Sequence, residues 1–96
     1  MAEWKTTKLR SLAEALLSLK TPDEVLAFLR DVATLEELEL LANRWEMAQR
    51  LDRGEPYREI AEDVGVSTAT VTRVAHWLSH GTGGYRTALR RQKKGT

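Results

Sequence analysis

Ninety-six residues with fifteen Lys or Arg against fourteen Asp or Glu leave a net charge of +1 and room for one small domain with a marginal core. The absence of cysteine excludes a disulfide framework and thiolate metal sites, and no apolar run approaches the roughly twenty residues that span a bilayer. Charges interrupt the amphipathic N-terminus MAEWKTTKLRSLAEALLSLK, so it does not read as a signal peptide, and the expected location is the cytoplasm.

No segment alternates as a strand would, and the expected fold class is all-α. Leu9, Leu12, Leu16 and Leu19 follow helical spacing and predict a first helix over about Trp4 to Leu19. Thr21-Pro22-Asp23-Glu24 is a capping box with proline at the first helical position, and Val25, Phe28, Leu29 and Val32 supply that helix's apolar side. Thr34-Leu35-Glu36-Glu37 repeats the device and opens a third helix that runs to about Arg53 and stops at Gly54. Apolar residues from Leu35 to Leu51 cover more than half of its circumference, leaving Glu36, Glu39, Asn43, Glu46 and Arg50 on a narrow polar face. A helix apolar on several sides needs burial on several sides, which predicts a homodimer; the alternative is a monomer whose first two helices wrap the third. Arg44 stands on an apolar arc among Leu40, Leu41, Met47 and Ala48, and such a guanidinium snorkels, pairs across an interface or meets a ligand.

Tyr57 to Leu78, reading YREIAEDVGVSTATVTRVAHWL, has the spacing of a helix-turn-helix. A short helix with Ile60, Ala61 and Val64 inward ends at Gly65, which can take positive φ, and Ser67 suits the N-cap of the next. On that second helix Val71, Val74, Ala75 and Leu78 share one face, while Ala69, Thr72, Arg73, His76 and His80 lie on the other. Short hydroxyls and a methyl near the helix start, followed by an arginine, suit base edges in a major groove and a phosphate beside it. The plainer alternative is a helical hairpin with a solvated threonine face. All fourteen acids lie at or before Asp63, so Arg73, Arg86, Arg90, Arg91, Lys93 and Lys94 leave the C-terminal third positive. Residues 90–94 read as a solvated tail that helps electrostatically, after a last helix over about Tyr85 to Gln92.

Other motifs carry less. His76 and His80 are four apart but lack a third ligand, so no metal site is expected, and no cofactor either. Gly81 to Tyr85 lacks the lysine and preceding strand of a phosphate loop and reads as a joint. Trp4, Trp45 and Trp77 suit packing or dimer anchoring better than stacking on single strands. No nucleophile–base constellation points to an enzyme.

The stretch LANRWEMAQRLDRGEPYREIAEDVGVSTATVTRV and the following LSHGTGGY resemble the tryptophan repressor superfamily, and within it the YerC/YecD-type branch. The resemblance covers most of the chain and is weakest in the first twenty residues. It implies six helices per subunit in an intertwined homodimer, with residues 1–53 as dimerisation helices, 57–78 as the reading head and 85–92 as the last helix, all within one domain. It places Thr68, Ala69, Thr70 and Thr72 toward bases and Tyr57, Arg58 and Ser67 near phosphates, with Arg73 and His76 on the same face. Thr70 points partly sideways on the helical wheel. Thr34, Arg44 and Arg73 correspond to effector-pocket positions of the tryptophan-binding repressor. Val74 stands where that protein has glycine, and the turn before the reading head is one residue shorter. The implied protein is a transcriptional regulator, a repressor of palindromic double-stranded DNA operators, that does not bind tryptophan and has either a different small-molecule effector or none; the alternative is a dimeric helical adaptor.

Overall fold

Hydroxyl side chains set the starts of the first three helices in the computed structural model, which describes residues 3–95 and side chains as far as residue 93. The described residues form six helices and no strand: α1 (Thr7–Leu17), α2 (Pro22–Val32), α3 (Leu35–Asp52), α4 (Tyr57–Val64), α5 (Thr68–His80) and α6 (Gly84–Gly95). None is long and apolar enough to cross a membrane. The chain divides into two compact units, one ending at Leu38 and the other beginning at Glu39.

In the first unit, α1 is shorter than the leucine spacing predicts at both ends. Thr6 takes an extended conformation and its Oγ1 accepts from Leu9 N at 3.1 Å, while Ser18 Oγ donates to Ala15 O at 2.7 Å. Hydroxyls that bond to nearby backbone compete with further helical turns, so the caps override the leucine periodicity. Thr21 Oγ1 likewise accepts from Glu24 N at 3.1 Å. The Glu24 carboxylate accepts from Lys20 N at 2.8 Å, one residue earlier than in a reciprocal box. At α3 the box is reciprocal: Glu37 N donates to Thr34 Oγ1 at 3.1 Å and Thr34 N donates to Glu37 Oε1 at 2.8 Å. No described residue of this unit is buried; Leu17 is 86% exposed and Leu26 62%.

The second unit holds the core. Met47 and Ala48 of α3, Ile60 and Ala61 of α4, and Val71 and Val74 of α5 form one buried cluster, flanked by Trp45, Leu51, Val64, Val66 and Tyr85. Ile60, Val71 and Ala48 have no exposed surface. Gly65 closes α4 at φ 84°, and the N–H groups of Gly65 and Val66 both reach Ala61 O, at 2.9 and 3.0 Å. Only a left-handed residue reverses the chain that tightly, which is why glycine stands there. α5 continues past Leu78 to His80. α6 extends beyond Gln92 and buries Leu89, so residues 90–93 belong to a helix rather than to a frayed tail.

Arg50 does not sit idle on a polar face. Its guanidinium donates to Glu55 at 2.6 Å and Asp63 at 2.7 Å, with Glu46 at 3.7 Å, and so ties the end of α3 to the linker and the end of α4. Glu55 also accepts from Arg53 at 3.0 Å. The Arg50 hydrogen bond, opposed by partial desolvation and aided by Arg53, holds the Glu55 carboxyl below its ordinary value of 4.5. Arg50 is raised still further into its charged range by Asp63 and Glu55, so it contributes no titration near neutrality. Since the folded Glu55 pKa is depressed, the stabilisation is present above the unfolded pKa and is lost as pH falls through the folded one. Acid unfolding followed by circular dichroism is therefore expected to begin at lower pH in the native chain than in a variant lacking that one carboxylate. Glu55→Gln should be less stable at neutrality and show a smaller loss of stability below pH 4.5.

Candidate nucleic-acid interface and adjoining pocket

The α4–α5 pair positions its outward side chains through one cap. Ser67 is extended, its Oγ accepts from Thr70 N at 3.1 Å, and the same oxygen lies 3.0 Å from Thr70 Oγ1. α5 thus starts at Thr68 with its first turn held, leaving free N–H groups and a positive helix end beside Ser67. Thr68, Ala69, Thr72, Arg73 and His76 are exposed, as are Tyr57 and Arg58 at the start of α4. Thr72 Oγ1 donates to Thr68 O at 3.0 Å, which leaves its lone pairs and methyl group for an outside partner. Thr70 differs from its neighbours. It is half-buried, bonded to Ser67, and turned toward the pocket described next, in accord with its sideways position on the wheel. His76 stacks on His80 with ring centroids 5.0 Å apart.

Beside α5 lies an open pocket of about 460 Å³. Arg44 of α3 faces it, with Thr70, Arg73, Val74 and Trp77 of α5 and Thr82, Gly84 and Tyr85 at the start of α6. Three of the four positions expected to meet an effector, Arg44, Arg73 and Val74, therefore share one lining. The fourth, Thr34, belongs to the first unit, where its hydroxyl caps α3. The pocket wall contains two guanidiniums and no carboxylate, and no ion pair engages Arg44 or Arg73 among the described residues. That arrangement suits an anionic group held between planar cations. Val74 is buried at 5% exposure, so its branched side chain forms the pocket floor.

Sequence spacing did not point to Tyr85 or Trp77 as pocket walls. Tyr85 lies 6.5 Å from Trp45 with ring planes 12° apart. Its burial pushes the phenol above its ordinary value, and the Arg44 charge pulls the other way. A lone aromatic following a glycine run and opening a basic helix was the available signal. Among the described residues no group of three or more His, Cys, Asp or Glu could hold a metal.

The Trp repressor protein family model matches residues 7–93. The chain belongs to the Trp repressor family. That family is one of regulators rather than of enzymes. Residues here are also 39% identical, over 87 residues, to the uncharacterised protein YerC of Bacillus subtilis (strain 168), covering 91% of this chain and 84% of that protein. A crystal structure of a TrpR-like protein from Eubacterium eligens superposes with a TM-score of 0.89 at 39% identity, covering 97% of this chain and 96% of the other. A second, described as a candidate Trp repressor from Staphylococcus aureus, superposes at 0.87 with 31% identity over 95% and 91% of the two chains.

One glycine near the pocket is required by close approach. Gly81 donates its N–H to Trp77 O at 2.9 Å, and a Cβ placed on it would lie 2.3 Å from that same oxygen. A backbone atom cannot swing aside. Gly81→Ala is therefore expected to lower stability by about 1–3 kcal/mol in chemical denaturation and to shift Trp77 fluorescence as the loop after α5 moves.

Proposed function

We propose that this member of the Trp repressor family is a cytoplasmic, homodimeric repressor that binds palindromic double-stranded DNA through α4 and α5 and catalyses no reaction. The observation that carries the reading is the outward side of α5. Behind a capped first turn it presents exposed Thr68, Ala69, Thr72 and Arg73, while Val71 and Val74 behind them are buried. Short side chains at the start of a rigidly seated helix let the helix approach base edges closely, and an arginine one turn on reaches a base or phosphate. Tyr57, Arg58 and Ser67 are assigned to phosphates and His76 to the same face. A dimer is supported by the first unit: its Leu17, Leu26 and Leu35 are more than half exposed and need a cover. Two-fold symmetry then presents two reading heads to two half-sites.

Arg44, Arg73 and Val74, with Thr34, are assigned to an effector pocket. Two unpaired guanidiniums support an anionic effector, and the side chain of Val74 in the floor leaves less room than glycine for an indole ring. Thr70 contributes to both surfaces, through its place between Ser67 and the pocket. The same exposed apolar faces of the first unit also support a helical adaptor. A steep salt dependence of partner binding separates phosphate recognition from an apolar interface.

Arg73→Ala and Thr72→Ala should each weaken operator binding, Arg73→Ala by about 1–3 kcal/mol, with unchanged melting curves, because both side chains are exposed. Selection of bound duplexes from a random pool, with and without tryptophan, is expected to enrich one palindromic motif in both conditions. Enrichment only with tryptophan would sink the assignment of Val74. In calorimetry, Val74→Gly should make tryptophan binding detectable at some cost in stability, since glycine within a helix costs about 1 kcal/mol.

A further inference from the structure

The charge asymmetry along the sequence becomes a surface in α6. Arg86, Arg90 and Lys93 recur at intervals of four and three, which brings them within about 60° of one another around the helix axis. All three are exposed and line one open groove of about 400 Å³ together with Asp52 and Leu89. Asp52 is the single carboxylate among the described lining residues and lies 2.7 Å from the Lys93 ammonium. No described acid pairs with Arg86 or Arg90, and no acid follows Asp63 in the chain.

We propose that this side of α6 is a second phosphate-binding surface, with Arg86 and Arg90 gripping the sugar–phosphate backbone of duplex DNA outside the stretch read by α5. The proposal rests on the DNA reading above and adds a contact that carries no sequence information. Arginine is suited to it, because a guanidinium meets a phosphate through two parallel N–H groups. The helix is also firmly seated. Leu89 is buried and Tyr85 stacks near Trp45, both within the compact unit that carries α4 and α5. The backbone of α6 is therefore already ordered, so a phosphate contact at Arg86 and Arg90 orders their side chains alone. Nucleic acid is favoured over an acidic protein segment because no element of the groove supplies apolar anchors beyond the already buried Leu89.

The test compares the unaltered chain, an Arg86→Ala/Arg90→Ala double variant and Arg91→Ala. Arg91 lies about 100° round α6 from Arg90 and outside the groove, so it reports on diffuse charge alone. Dissociation constants for a duplex of arbitrary sequence are measured over a salt series. The double variant is expected to show a log–log slope shallower by about 1–2, at roughly 0.9 per released phosphate contact, while Arg91→Ala keeps the native slope. An Arg86→Gln/Arg90→Gln pair, with superimposable melting curves, guards against a folding effect. Native slopes in both double variants would overturn the proposal while leaving the DNA reading standing, and would return the groove to an acidic protein. Equal losses in Arg91→Ala would overturn it too, since general charge would then suffice. Failure of the unaltered chain to bind any duplex at low salt would overturn the DNA reading and this proposal with it.

Discussion

The packing of α4 against α5 is the constraint on which the second unit depends. Ile60, Ala61, Val71 and Val74 are all buried, and the chain must reverse between them within three residues. A bulkier residue at Ala61 or a side chain at left-handed Gly65 would separate the helices, and each apolar group would lose its cover. The inward valines of α5 cannot be exchanged for polar residues without losing the core. The outward side chains of Thr68, Ala69, Thr72 and Arg73 are exposed and lie outside the buried cluster. This separation of duties lets the outer face specify a partner while the inner face specifies the fold.

Val74 sits on the boundary between those duties. It belongs to the buried cluster and to the floor of the pocket between Arg44 and Arg73. In this chain the same side chain therefore completes the core and lines the pocket. A ligand that entered would press directly on α5, because the floor is α5 itself. Thr70, Arg73 and Trp77 of the same helix line the pocket with Val74, so an occupant would touch α5 directly, with no intervening relay.

The local punctuation of the fold was legible in the sequence. Thr21, Thr34, Gly65 and Ser67 act where capping and turn chemistry put them, and the inward and outward sides of α4 and α5 follow helical spacing. What was not legible depends on distance along the chain. The leucine spacing of α1 gave no hint that Thr6 and Ser18 would clip it, since two hydroxyls compete with a periodicity that continues past them. Arg50 looked like one more solvated cation because Glu55 and Asp63 converge on it only once α4 has turned back. Tyr85 reads as a helix opener until α6 brings it beside Trp45 and Arg44. The basic residues after Gln92 read as a tail, whereas the helix carries them on; the Lys94 side chain lies outside those described.

The Arg50 cluster has one further consequence. Three carboxylates, Glu46, Glu55 and Asp63, gather around a single guanidinium, with Arg53 helping at one of them. Such an arrangement fails unevenly. Loss of any one acid leaves the cation with remaining partners, but loss of the cation leaves like charges crowded at the joint between α3 and α4, where attraction turns into repulsion. Mutational tolerance at this joint should therefore be lopsided, wider at each single acid than at the one arginine they share.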